Sequence, residues 1–243
     1  MTAIAPGRSR TRRAALVTAM CALTLLTACS EDPDAGTNGV GKLAPDVIQS
    51  KTRAAATSVA TVRMAGTVVT SGRTYQLDMR LNARGGTGSV TSKGSTFHLL
   101  RVGRTLYLQA DADFWNHADG NDRGAAGTLD GKYVKVPQGD PSYKKFSGFT
   151  DKDLLLSGLL TLHGSLSTDG HHEQSGTPTI RIAGDGGSGG TLDVSLKGEP
   201  YPLRLERAGG AGTLTFTDWG RSFSVTEPKK GETVDYGKQL PAS

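Results

Sequence analysis

Cysteine is scarce in this sequence, and its absence from most of the chain excludes several kinds of site. Only two cysteines occur in 243 residues, at positions 21 and 29. The part of the chain that follows them can therefore form no disulfide, no thiolate metal site and no cysteine nucleophile. Its fold must be stabilised by an apolar core, and roughly 190 residues are enough for one such domain.

A hydrophobic run long enough to span a bilayer is also missing. The uncharged stretch 14–28 has fifteen residues, and as a helix it would reach about 22 Å, which is short of a hydrocarbon core of about 30 Å. It follows four arginines, with no acidic residue before it, and it ends in small residues. This order is typical of a secretory signal peptide, which we predict over residues 1–28.

The cysteine at position 29 has a specific context. The sequence Leu26-Thr27-Ala28-Cys29 resembles the bacterial lipobox, in which the cysteine receives a diacylglyceryl group and becomes the first mature residue. We therefore expect a lipid anchor at Cys29 on the extracytoplasmic face of the cell membrane. The alternative is an unmodified cysteine in an ordinary signal sequence. Export by the general or the twin-arginine route is left open by Arg12-Arg13.

An excess of positive charge is absent from the predicted mature chain. The whole sequence has 28 basic and 23 acidic residues, a net charge of +5. The four signal-peptide arginines leave 24 basic against 23 acidic residues, or +1. This balance supports neither a nucleic-acid partner nor a polybasic membrane surface, so membrane attachment would depend on the acyl chains.

The rest of the chain divides into a tether and a domain. Residues 29–44 are polar and glycine-rich, which predicts a lipidated N-terminus and a flexible tether. A single domain is predicted over residues 45–243, beginning with a helix from Pro45 to about Ser58, because proline suits the first helical turn.

Alternation of apolar and polar residues dominates the domain. In residues 74–83 (TYQLDMRLNA), every second side chain is apolar, which predicts a strand with one buried and one exposed face. Turns separate the runs, with signals that include Ser71-Gly72, Gly85-Gly86 and Gly103, so we predict one antiparallel meander. Further alternating pairs are Leu106/Leu108, Val134/Val136, Ile180/Ile182, Leu192/Val194, Leu203/Leu205, Leu214/Phe216 and Phe223/Val225.

One leucine-rich segment interrupts this pattern. Residues 149–164 (FTDKDLLLSGLLTLHG) begin with a capping pair, Thr150 and Asp153, and end at Gly164, which predicts a helix. Its broad apolar stripe must pack against a large apolar surface, and the apolar face of the sheet is the available partner. We therefore predict an α+β fold, a curved antiparallel half-barrel sheet with helices packed on its concave face.

No convincing catalytic or metal-binding constellation is present. Ser188 lies in a G-x-S-x-G pattern, but the alternating residues after it predict a hairpin loop and not the helix of a nucleophile elbow. The segment around His171 and His172 reads as a polar loop without metal-ligand spacing. The acidic residues around Trp115 also read as a solvated loop. We therefore expect no enzyme activity, no cofactor and no metal.

The sequence resembles the LppX/LprG family of actinobacterial envelope lipoproteins, which have a LolA-like fold. The likeness spans roughly residues 46–236. The residues that carry it, besides the lipobox, are 56–59, 103–110 (GRTLYLQA), 131–137 (GKYVKVP), 196–207 (LKGEPYPLRLER), 213–220 (TLTFTDWG) and Glu227-Pro228.

This resemblance implies a half-barrel whose hollow, covered by helices, holds a lipid, a glycolipid or an acylated protein. The expected lining residues are Leu77, Met79, Leu81, Leu106, Leu108, Leu155 and Leu159, although alternation alone does not distinguish a hollow from a packed core. With only six phenylalanines and 33 glycines, the pocket is expected to be modest or packed shut.

The alternative function is that of a non-catalytic interaction protein with a solid core, and a monomer is expected for either function. Its outer surface would contact an envelope partner through exposed aromatic residues, for which the candidates are Trp115, Tyr143, Tyr201 and Trp219.

Overall fold

A computed structural model describes residues 32–119 and 127–235, which include a single twelve-stranded sheet. The predicted signal peptide and Cys29 lie outside the described residues. The strands are β1 Thr61–Thr70, β2 Arg73–Asn82, β3 Gly85–Ser92, β4 Ser95–Val102, β5 Thr105–Ala110, β6 Tyr133–Val136, β7 Leu166–Gln174, β8 Thr177–Gly184, β9 Gly190–Ser195, β10 Pro202–Arg207, β11 Thr213–Thr217 and β12 Thr233–Asp235.

The sheet consists of two antiparallel meanders that meet at its centre. The strand order is β12-β6-β5-β4-β3-β2-β1-β11-β10-β9-β8-β7, so β1 pairs with β2 on one side and with the distant β11 on the other. The sheet is curved and does not close. The predicted curved antiparallel sheet is therefore confirmed, but it consists of two meanders and not one. The sheet is also mixed, because β12 pairs in parallel with β6 at one edge.

The alternation in the sequence places one apolar face on the same side of both meanders. In β2 the side chains of Tyr75, Leu77, Met79 and Leu81 are buried. The register continues this face into the neighbouring strands, for example from Met79 to Met64 in β1. We call this surface the inner face.

The strand β3 is a difference from the sequence prediction, which treated Gly85-Gly86 as a turn. Gly86 pairs with Leu81 and Gly88 pairs with Met79, so both glycines lie on the inner face. A methyl group at Gly86 would lie 2.6 Å from a Leu81 methyl carbon. One at Gly88 would collide with the Asp78 carbonyl oxygen and lie 2.8 Å from the Met79 sulfur. The glycines therefore leave room for the two larger side chains beside them.

Three other segments also differ from the prediction. The polar loop predicted around His171 is the edge strand β7, which is mostly exposed and so carries no apolar alternation. The loop predicted around Trp115 is in part the helix α2, Ala112–Asp119. The alternating pair Phe223/Val225 lies in irregular chain between β11 and β12 and not in a strand.

The helices α1, Pro45–Ser58, and α4, Lys152–Leu159, contact each other. The bounds of α1 are those predicted. The helix α4 ends before the predicted Gly164, and its N-cap is Asp151, whose carboxylate accepts a hydrogen bond from the Leu154 amide, and not Thr150. Ahead of α4 lie α3, Pro141–Ser147, and a short 3-10 turn, Gly148–Thr150.

The last part of the predicted tether is attached to the sheet. The Asn38 amide donates to the Leu196 carbonyl at 2.9 Å, and the Asn38 side chain donates to the carbonyls of Ser195 and Gly198. Val40 is buried. The attached chain therefore begins before Pro45, which shortens the segment between it and Cys29.

Candidate ligand-binding face

The five lining residues predicted on the sheet all lie on the inner face. Leu81 in β2 and Leu106 in β5 belong to one row across the sheet, and Met79 and Leu108 belong to the next, with β3 and β4 between them. Leu77 follows in β2, and all five side chains are at most 2% exposed. In this conformation they form part of one packed apolar cluster.

The two lining residues predicted on the helix are less deeply placed. Leu155 and Leu159 are half-buried against the core, whereas Leu156 and Leu160, four residues apart, are completely buried. Leu154 faces solvent and is 64% exposed. Leu156 and Leu160 therefore lie deepest in the core, and Leu155 and Leu159 pack at its edge.

We call the two helices α1 and α4, which contact each other, the roof. Their buried apolar residues belong to the same apolar cluster as the inner face, as do Trp115 of α2 and Phe146 of α3. The buried residues of α1 are Ile48, Thr52 and Ala56. The turn before α4 lies close above β3, since a methyl group at Gly86 would lie 3.4 Å from the Thr150 carbonyl oxygen.

Arg101 is a polar group on the inner face that the sequence analysis did not identify. It pairs with Gly86 in the sheet register, and its guanidinium donates to the Thr150 hydroxyl at 3.0 Å and to the Thr150 carbonyl at 2.8 Å. It also lies 3.5 Å from the Asp151 carboxylate. Arg101 thus connects the start of α4 to the sheet. The signal was available, because an arginine continues the apolar series Phe97, Leu99 in β4.

Two further hydrogen bonds join the roof helices to each other. The Lys152 ammonium group, whose side chain is buried, donates to the Thr57 carbonyl at the end of α1 at 2.9 Å. The Leu162 amide donates to the Gln49 side chain at 2.8 Å. Among the described residues, the polar contacts that hold α4 in place are therefore those of Arg101, Lys152 and Leu162.

Among the clefts lined by described residues, two lie next to the end of α4 or the turn before it. The first, which we call the hairpin cleft, has a volume of about 490 Å³ and is lined by Thr70, Ser71, Arg73, Tyr75, Lys145 and Phe149. The rings of Tyr75 and Phe149 lie 5.6 Å apart within it. The second cleft is smaller, about 130 Å³, and Leu159, Leu162 and Leu205 contribute to its lining. One predicted lining residue, Leu159, therefore borders an opening to solvent.

The aromatic residues of the alternative hypothesis have different environments. Trp115 is only 3% exposed and donates to the Ala110 carbonyl, so its predicted exposure is wrong. Tyr143 is half-buried and donates to the Arg104 carbonyl. Tyr201 stacks on Trp219, with ring centroids 4.8 Å apart, and lies three residues after Gly198, whose carbonyl accepts a hydrogen bond from the Asn38 side chain.

The residues that were considered as candidates for a catalytic or metal site form hydrogen bonds within the fold. Ser188 lies in the β8–β9 hairpin, as predicted, and its hydroxyl donates to the Asp185 carbonyl. His171 contacts the Asp34 carboxylate at 3.2 Å, and His172 contacts the Asp169 carbonyl at 2.8 Å. Among the described residues, no group of three potential ligands could hold a metal ion. Within the same residues, no helix has the length and apolar character to cross a membrane.

Comparison with known proteins identifies the fold. No protein-family model and no curated protein matches the sequence. Among solved structures, LprF from Mycobacterium bovis superposes with a TM-score of 0.53 at 15% identity, over 76% of this chain and 96% of that chain. The Mycobacterium tuberculosis lipoprotein LppX gives a TM-score of 0.45 at 16% identity, over 75% of this chain and 100% of that chain. The chain therefore has the fold of LprF, and the predicted resemblance to LppX/LprG-type lipoproteins is confirmed at the level of the fold.

Proposed function

We propose that this protein is a lipoprotein of the cell envelope that binds or carries a hydrophobic ligand on its inner face. The ligand would be a lipid, a glycolipid or an acylated protein. Diacylglyceryl-Cys29 would hold the protein on the extracytoplasmic face of the cell membrane. The observation that carries the proposal is the continuous apolar inner face, against which the roof packs.

Binding requires the roof and the inner face to separate, because the inner-face side chains are covered in this conformation. An acyl chain gains about 0.8 kcal/mol for each buried methylene, so about twelve methylenes gain about 10 kcal/mol. The main polar contacts of α4 are those at Thr150, Lys152 and Leu162, and each contributes about 1–3 kcal/mol. Burial of a single long acyl chain therefore offsets the loss of these polar contacts.

Native mass spectrometry of the full chain with Cys29→Ala, purified gently from its host envelope, tests ligand binding. We expect bound lipid in this protein and less in the variant Leu155→Trp, because a larger side chain would fill the space beneath the roof. The matched control is Leu154→Trp, on the solvent side of the same helix, which should retain the lipid. Absence of lipid from the protein, together with no uptake of added fatty acid, would refute the carrier role.

The anchor has its own test. Radiolabelled palmitate should label the full chain in living cells and should not label Cys29→Ala. Equal labelling of both proteins, or of neither, would remove the proposed attachment.

The alternative function is an interaction protein with a solid core, and the complete burial of the inner-face residues favours it. Met79→Trp distinguishes the two functions. In a solid core the added volume destabilises the protein by about 1–3 kcal/mol, whereas a roof that separates from the sheet accommodates it. If the alternative is correct, Tyr201→Ala should abolish capture of an envelope partner, while loss of the stack on Trp219 costs only about 0.5–1.5 kcal/mol of stability.

A further inference from the structure

The hairpin cleft combines positive charge with an apolar entrance to the inner face. We propose that it binds the anionic headgroup, a carboxylate or a phosphate ester, of an amphiphile whose acyl chain lies on the inner face. This inference rests on the proposed function, and it specifies the chemical class of the ligand.

The charge of the hairpin cleft has one sign. Its lining contains Arg73 and Lys145 and no acidic residue. Arg73 begins β2, is half-buried, and forms no ion pair within residues 32–119 and 127–235. A guanidinium presents two parallel donors to a carboxylate or a phosphate, and such charge-assisted bonds are about twice as strong as neutral ones. The cleft therefore favours an anion over a neutral headgroup.

The apolar side of the cleft leads to the inner face. Arg73, Tyr75 and Leu77 alternate on one face of β2, so a path of three side chains runs from the cation to a predicted lining residue. Phe149, in the turn before α4, packs on Tyr75 and forms the opposite wall. An elongated ligand with a charged end and an apolar tail matches this order.

The size of the cleft is also suitable. Its volume of about 490 Å³ lies within the usual range for small-molecule sites, about 300–1,000 Å³. A free inorganic anion would leave most of this space and both aromatic rings without contact. The combination of Arg73, Lys145, Tyr75 and Phe149 therefore favours an amphiphile over a small ion.

The test compares two fluorescent probes on the full chain with Cys29→Ala, so that the protein's own acyl group does not compete. The probes are cis-parinaric acid and its uncharged methyl ester. We expect Arg73→Gln/Lys145→Gln to weaken binding of the acid about tenfold and to leave binding of the ester unchanged. The matched control is Arg84→Gln/Lys144→Gln, which removes the same charge from exposed positions outside the cleft and should change neither.

The other outcomes separate this proposal from the general function. If the Arg73/Lys145 variant weakens both probes equally or neither, the headgroup site is wrong while acyl binding stands. If inorganic phosphate at the probe's concentration displaces the acid, the cleft is a small-anion site and the proposal is also wrong. If neither probe binds and no cellular lipid is retained, the proposed function fails and the headgroup site fails with it.

Discussion

Replacing Arg101 by methionine should loosen the attachment of the roof to the sheet. The substitution keeps most of the aliphatic stem, and it removes the guanidinium donors to the Thr150 carbonyl and hydroxyl and to the Asp151 carboxylate. The Thr150 hydroxyl keeps its own bond to the Ser147 carbonyl. The exposed bond from the guanidinium to the Gly103 carbonyl, in the turn after β4, is also lost. Apart from it, the perturbation is confined to the contact between β4 and the start of α4.

The cost follows from the geometry of these bonds. A hydrogen bond to a charged group contributes about 1.5–3 kcal/mol when partly buried, and Arg101 makes two to Thr150. The contact with Asp151, at 3.5 Å and with a 43% exposed carboxylate, contributes less than about 1 kcal/mol. The Arg101 side chain is 15% exposed, so water replaces part of what is lost. We expect a decrease of about 3 kcal/mol in the free energy of unfolding.

Urea denaturation and hydrogen exchange measure this effect. The unfolding midpoint should fall, and amides of α4 should exchange faster than in the wild type, while those of β9 and β10 keep their relative protection. Arg104→Met is the control, because Arg104 is exposed and its side chain donates only a 3.4 Å bond to Gln138. It should cost less than about 0.5 kcal/mol. Equal stability of the two variants would refute the role assigned to Arg101.

Three other changes have defined outcomes. Asp193→Ala should destabilise the protein by about 3–5 kcal/mol in urea titration. The buried Asp193 carboxylate accepts two hydrogen bonds from Arg181, and the substitution removes both of them. A loss of stability below about 1 kcal/mol would contradict this expectation. The hydrogen bond from Arg63 lowers the pKa of Asp78, so this pair stabilises the fold above the unfolded carboxyl pKa of about 4 and ceases to do so as pH falls through the lower folded pKa. In Asp78→Asn the melting temperature should therefore fall less on acidification, and an unchanged acid profile would argue against the pair. Gly158→Ala should stabilise α4 by about 0.5–1 kcal/mol, since its added methyl group meets no atom within 4 Å, and a lower melting temperature would show otherwise.

Local patterns in the sequence predicted much of the fold. Residues two apart in β2 alternate because one face of the strand is buried, and this can be seen without knowledge of the pairing. The helix α1 is predicted from Pro45 and its position before the first strand. The same patterns placed Leu77, Met79 and Leu81 on one face. What they could not show is that these side chains are fully covered.

Only the tertiary structure decided the remainder, because it depends on segments that are distant in the chain. The strand β3 could not be predicted from alternation, because its inner-face positions beside Met79 and Leu81 of β2 are glycines and not large apolar residues. The edge strand β7 is polar because solvent, and not another layer, covers it. Arg101 is accommodated on an apolar face because the carbonyl of Thr150, 49 residues further along the chain, accepts a hydrogen bond from its guanidinium. The sequence by itself determined the faces of the strands and the apolar character of the interior, and the packing of the roof decided whether that interior is open or closed.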